Sequence, residues 1–183
     1  MILISLGANI AAPDGTPPLL NCQRAAAALD ALPGLHLRGL SRWYTTAPVL
    51  PAGAPAQPRF TNAVAHLCAE PGAGIDPAVL LQQLLALEAR FGRVRQAPHM
   101  PRPLDLDIVA IDDLVRAAPD PVLPHPRAHL RAFVMVPLAE VAPGWVHPGL
   151  GQSVAAMIAA LPAQQLQVLS SFAAVGPDPA PAQ

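Results

Sequence analysis

The chain has 183 residues, 13% of them charged, and a formal net charge of −1. That length suits one domain around a single core, and the near-neutral balance speaks against a protein that coats nucleic acid. All eleven basic side chains are arginine, which excludes a P-loop lysine, a Schiff base and a lysine general base.

Residues 2–6 read as a short buried strand that follows Met1 without the basic flank of a signal peptide. A turn-rich loop, "GANIAAPDGTPP", comes next. Residues 19–32 carry helical apolar spacing ended by Pro33-Gly34. Residues 35–46 read as a second strand, with Arg38 and Arg42 at its wetter positions. The proline-rich stretch 47–58 has no periodicity and is expected to be a long loop. Residues 60–68 read as a third strand. Asp76 is an N-cap with Pro77 at the first helical position. The helix then runs to Phe91 on a stripe of Leu80, Leu81, Leu84, Leu85 and Leu87, and Gly92 stops it.

An arginine-rich loop, 93–103, leads into a fourth strand at 104–111. Asp112-Asp113 reads as a turn into a short strand at 114–116, and 124–130 as a turn or short helix. Later elements cover 134–141 and 152–161, the second of them helical. Residues 1–172 are taken as one domain and 173–183 as a disordered Pro/Ala-rich tail. No run of 18 apolar residues is present, so no membrane span is expected. Cys22 and Cys68 lack metal-type spacing and read as reduced thiols of a cytoplasmic protein. The order predicts an α+β fold, a ferredoxin-like βαββαβ sandwich with an additional C-terminal strand and helices.

The stretch "PRPLDLDIV" places two carboxylates in an apolar run. In a strand, Asp105 and Asp107 share one face while Leu104, Leu106 and Ile108 share the other. Such a pair either keeps an edge strand from pairing with another chain or holds a cation. Arg90, Arg93, Arg95 and Arg102 lie just before it with no acidic residue among them. Arginine forks suit phosphate oxygens, and carboxylates suit Mg²⁺ that also takes phosphate oxygens. Together they make the pattern of a Mg²⁺-nucleotide site. "LPHPRAHLRAF" adds His125, Arg127, His129, Arg131 and Phe133. A zinc site on the two histidines lacks further ligands nearby, and phosphate contact by His125 and Arg131 is favoured. Asn62, an amide in an apolar strand, needs partners. It either satisfies backbone groups or reads the edge of a heterocycle.

The motifs "LGAN" at 6–9, "FTNAV" at 60–64, "E....GRVR" at 88–95, "PR.LDLDI" at 101–108 and "PHPRAHLRAFV" at 124–134 occur in this order. As a set, the chain resembles the 6-hydroxymethyl-7,8-dihydropterin pyrophosphokinase family of folate biosynthesis over roughly residues 1–162. The resemblance implies transfer of pyrophosphate from ATP to the reduced pterin, giving the pterin diphosphate and AMP. It implies that Asp105 and Asp107 hold two Mg²⁺ ions, with Arg93 and Arg102 as further catalytic residues. Phe60 and Phe133 would sandwich the pterin, Asn62 would bond its edge, and the backbone from Thr46 to Pro48 would assist. Glu88, Arg95, His125 and Arg131 would contact ATP. Two loops, 47–58 and 93–103, would close over the substrates.

Three departures stand out. "QAPHMPR" is shorter than the usual pattern and lacks an aromatic residue, Leu85 replaces a polar contact found in some members, and the Pro-rich tail is outside the family pattern. The expected partners are small molecules only, with no nucleic acid and no membrane, and the expected state is a monomer. The rival from another class is a non-catalytic ferredoxin-like ligand-binding module, which leaves the acid pair beside the arginine loop without a purpose. An RNA-binding domain would need exposed sheet aromatics and a basic face.

Overall fold

A computed structural model of the chain describes residues 1–51, 53–94 and 100–169. The expected tail therefore lies outside the described residues, as does Arg95. Strand β1 (Ile2–Ala8) is followed by α1 (Pro18–Asp30), β2 (Leu35–Leu40), β3 (Tyr44–Thr46), β4 (Phe60–Ala69), α2 (Pro77–Arg90) and β5 (Asp105–Ile111). A 3-10 turn (Ala128–Leu130) leads into α3 (Ala132–Val141). Then come β6 (Val146–His147), β7 (Gln152–Ser153), α4 (Val154–Ala160) and β8 (Leu166–Val168). The fold is α+β. The main sheet runs β5-β1-β4-β3-β8, with β2 also paired to β4, and the registered pairs are antiparallel. No helix among the described residues is long and apolar enough to cross a membrane.

The expected strand 35–46 is in fact two strands. β2 pairs with the far half of β4 and β3 with its near end, Tyr44 opposite Asn62 and Thr46 opposite Phe60. The break has a local cause. Ser41 donates its amide to the Val64 carbonyl at 3.0 Å, and its Oγ accepts from the Val64 amide at 2.9 Å. A hydroxyl thus takes the place of a backbone carbonyl, satisfying Val64 while the chain steps away from the ladder. The expected strand at 114–116 reduces to a single bridge between Arg116 and Leu123.

Alternation along β1 and β5 sorts the core into two layers. Ile2, Ile4, Leu6, Leu104, Leu106 and Ile108 pack with α1 and α2. On the opposite face Leu3, Val64 and Val109 pack under α3 and α4 with Met135, Leu138 and Met157. α2 begins as its sequence dictates, with Asp76 accepting from the amides of Ala78 and Val79. It ends at Arg90, and Gly92 two residues on turns the chain away with a φ of +88° that favours glycine. A Cβ there would also lie 2.2 Å from Pro13 Cδ, so the loop after β1 rests directly on this turn.

α3 is fastened to the sheet by polar contacts. Glu140 accepts from the Arg42 amide at 2.8 Å and from Arg42 Nε at 2.9 Å, and it also bonds the Tyr44 hydroxyl. The helix that begins at Ala132, just after Arg131 and just before Phe133, is thereby held against β3.

Candidate active site

The α3 side of the sheet is apolar only where α3 and α4 cover it. Beyond their reach the same face turns polar and lines a cavity of about 330 Å³. Register assembles its floor. Gly7 of β1 lies between Asn62 of β4 and Asp105 of β5, and Ser5 lies beside Asp107. Thr46, Pro48, Phe60, Arg102, Arg131 and Phe133 complete most of the wall. A Cβ on Gly7 would stand 3.5 Å from Asn62 Oδ1, 3.8 Å from Asp105 Cβ and 3.9 Å from a Phe60 ring carbon. A mid-strand glycine here keeps open the space where those three meet.

Asp105 and Asp107 do share one face, and Leu104, Leu106 and Ile108 lie buried on the other. β5 is also an edge strand, so position alone does not distinguish the two readings of the acid pair. Its surroundings do, because both carboxylates face a cavity and not solvent-exposed sheet edge. Asp105 accepts from Arg102 at 2.9 Å and forms an ion pair with Arg93. Asp107 is pushed up to about 6, first by burial and then by the neighbouring Asp105 charge. A buried carboxylate whose ionisation is hindered by burial and by a converging neighbour's charge suits a hard divalent cation with oxygen ligands. The donor set therefore fits magnesium.

Arg93 and Glu88 do not line the cavity. Glu88, on the continuation of the Leu80 and Leu84 stripe, is 2% exposed. It accepts from Arg93 at 2.5 Å and from the Leu106 amide at 2.8 Å, while Arg93 also reaches the Leu104 carbonyl at 3.2 Å. Burial works against the Arg93 charge, but Asp105 and Glu88 outweigh it and raise its pKa. The pair is a strut from α2 to the start of β5, and it aims the Asp105 carboxylate.

Asn62 is 4% exposed, and its amide donates to Thr46 Oγ1 at 2.8 Å. Its partner is thus a side chain of β3 and not a stray backbone group. Arg131 lies with its guanidinium carbon 5.6 Å from the Phe133 ring centre. Burial and the nearby Arg127 charge lower its pKa. His125 stands outside the cavity lining, tied to β5 by its amide on the Val109 carbonyl at 2.8 Å. Burial, then Arg131 and Arg127, push its pKa down to about 4. His125 and His129 share no helix face, since a single 3-10 turn separates them. Among the described residues no group of three or more His, Cys, Asp or Glu is placed to hold a metal ion.

Ser5, Gly7, Val49 and Leu130, which the sequence reading did not single out, line the cavity, as does Arg127, which it named without a role. Period-two spacing from Ser5 to Gly7 was the available signal for the first two. Asn9, 2% exposed, brackets Arg102: its amide donates to the Arg102 carbonyl at 3.0 Å and its Oδ1 accepts from the Arg102 amide at 2.7 Å.

Residues 3–143 match the model of the family described as 7,8-dihydro-6-hydroxymethylpterin-pyrophosphokinase. A 2-amino-4-hydroxy-6-hydroxymethyldihydropteridine pyrophosphokinase of Synechocystis sp. is 37% identical over 156 residues, covering 85% of this chain and 73% of its own. The protein of the same name from Pseudomonas aeruginosa is 35% identical over 168 residues, covering 92% and 96%. The folic acid synthesis protein fol1 of Schizosaccharomyces pombe is 31% identical over 150 residues, which make up 82% of this chain but 20% of that larger protein. The chain belongs to the 7,8-dihydro-6-hydroxymethylpterin-pyrophosphokinase family.

Proposed function

From that membership we infer that this chain transfers the β,γ-pyrophosphoryl unit of ATP to the hydroxymethyl group of 6-hydroxymethyl-7,8-dihydropterin, a step of folate biosynthesis. The products are the pterin diphosphate and AMP. The observation that carries this reading is the joining of two kinds of surface in one cavity. Asp105, Asp107, Arg102 and Arg131 supply charged groups, and Phe60, Asn62, Thr46 and Phe133 supply aromatic and hydrogen-bonding groups, to one continuous lining. A substrate that is flat and polar-edged at one end, and reacts with a polyphosphate at the other, matches both.

On this reading the ring stacks on Phe60 and Phe133, and Asn62, held by Thr46, bonds its edge. The backbone from Thr46 to Pro48 borders the ring. The substrate hydroxyl oxygen forms a bond to the β-phosphorus and gives up its proton to solvent, the bond from that phosphorus to the α-phosphate oxygen breaks, and AMP leaves with the electron pair. Magnesium on Asp105 and Asp107, two ions in this proposal, neutralises phosphate charge when bound. Arg102 and Arg131 supply fixed positive charge, with His125 and Arg95 assigned to the nucleotide. Arg93 and Glu88 act from behind Asp105 by positioning it.

The β5-β1-β4 order, with α1 and α2 on one face, supports a ferredoxin-like sandwich whose outer strand is split into β2 and β3. One domain over residues 1–172, monomeric and cytoplasmic, belongs to the same proposal. Incubation with Mg-ATP and the reduced pterin tests it. AMP should appear in step with pterin diphosphate. A ligand-binding module would bind both molecules and release no AMP, and that outcome would refute the reading.

A further inference from the structure

Among the described residues three guanidinium groups line the cavity, those of Arg102, Arg127 and Arg131, and they are not equivalent. Arg102 is committed to Asp105. Arg127 and Arg131 have no carboxylate within ion-pair distance among the described residues. They stand four positions apart, one just before the 3-10 turn Ala128–Leu130 and one just after it. That turn is fixed by its own backbone. Leu130 donates to the Arg127 carbonyl at 3.2 Å, and Arg131 to the Ala128 carbonyl at 3.0 Å. The Arg127 amide donates to His125 Nδ1 at 3.1 Å, and His125 is itself bonded to β5. The backbone that carries the two arginines is therefore anchored on a wall of the cavity that Asp105 and Asp107 also line. Neither is neutralised by a direct ion pair, although Asp105 and Asp107 attract Arg131, and the two cations on one wall repel each other; an anion lying between them relieves that repulsion.

Resting on the nucleotide reading above, we propose that Arg127 is a further polyphosphate-binding residue that acts as a pair with Arg131 on the transferred β,γ unit. The choice of phosphates follows from position. Arg131 lies against Phe133, the ring assigned to the pterin, so this pair stands at the end of the polyphosphate nearest the acceptor oxygen. The unit it would hold remains on the pterin in the product and is absent from AMP. Arg127 should thus discriminate between ligands that carry the β- and γ-phosphates and one that does not.

Titration calorimetry at fixed Mg²⁺ and ionic strength tests this with three probes: α,β-methylene-ATP, inorganic tripolyphosphate and AMP. Arg127→Ala should weaken the first two by about ten- to a hundredfold, the range of a charge-assisted contact, and change AMP by about twofold or less. Arg127→Lys should recover part of the loss. Arg38→Ala, which removes the same charge from a surface strand outside the cavity, should leave all three within about twofold. Thermal unfolding of each variant reports on the fold. Failure of the wild-type protein to bind α,β-methylene-ATP would sink the nucleotide reading itself. With wild-type binding intact, this proposal is overturned if Arg127→Ala keeps tripolyphosphate affinity, loses AMP to the same degree, or is matched by Arg38→Ala.

Discussion

The Arg127 amide donates a hydrogen bond to Nδ1 of His125 at 3.1 Å. A backbone N–H can only donate, so Nδ1 keeps its lone pair and the proton of the neutral ring sits on Nε2. Nitrogen chemical shifts of the labelled protein should report this single tautomer. They should stay unchanged from pH 8 to about pH 5, because burial, Arg131 and Arg127 hold the folded-state value near 4. An unfolded histidine titrates near 6.5. As the pH drops from there towards 4, the unfolded chain takes up this proton and the folded one does not, so His125 lowers stability in that window. Thermal melts of His125→Gln should show a shallower acid slope than the wild type. An equal slope would mean that His125 contributes nothing to it.

Asp107→Asn should separate stability from activity. The folded protein disfavours the ionised carboxylate at neutral pH, since its value is pushed up to about 6. The penalty is complete above that value and disappears below the unfolded one, near 3.9. The neutral amide should therefore leave the metal-free protein at pH 7.5 at least as stable, with a gain of about 1 kcal/mol appearing as about 2–4 °C. Turnover with Mg-ATP should fall by at least about a hundredfold, because an amide is a poor magnesium ligand. Near-normal turnover at ordinary Mg²⁺ would remove the metal assignment.

Glu88→Gln should do the opposite. It removes one partner of a buried ion pair and weakens the contact to the Leu106 amide. Breaking such a pair costs about 3–5 kcal/mol, measurable by urea unfolding. Because Glu88 acts through Arg93 on Asp105, the Mg²⁺ concentration needed for half-maximal rate should rise more than KM for the pterin. A parallel rise in both would point to a general folding defect.

The aromatic and hydrogen-bonding groups are tested with the pterin in the presence of α,β-methylene-ATP. Phe133→Ala should weaken pterin binding by about tenfold or more, with a small effect on the nucleotide. Asn62→Ala should act in the same direction. Thr46→Val is the finer probe. It removes the acceptor at 2.8 Å from the Asn62 amide, leaving a buried donor unpaired at a cost of about 1–3 kcal/mol. Unchanged pterin affinity in all three variants would take this wall out of the ring site.

The sequence was most informative where alternation and burial coincide. "LDLDI" shows both the buried and the cavity-facing sides of β5, because only an extended chain sorts Leu from Asp in that way. Glu88 was harder to place. A glutamate near a helix end ordinarily faces water, although its spacing from Leu80 and Leu84 continued the buried stripe. Arg127 was named in its motif but given no role for a related reason: a single arginine in a loop has no periodic context, and only the turn that brings it beside Arg131 gives it meaning. The division of 35–46 was hidden because residue pattern does not reveal that a serine hydroxyl will stand in for a backbone acceptor.

The Ser41 junction also separates two alignments that a continuous strand would have bound together. β2 takes its register from residues 65–69 of β4 and β3 takes its own from 60–62. One residue added between Arg42 and Tyr44 would leave the first alignment untouched and slide only the second. Thr46 would then pass to the opposite face of the sheet and leave Asn62 without its partner. The boundary of the ligand slot can thus vary in length independently of the scaffold beside it.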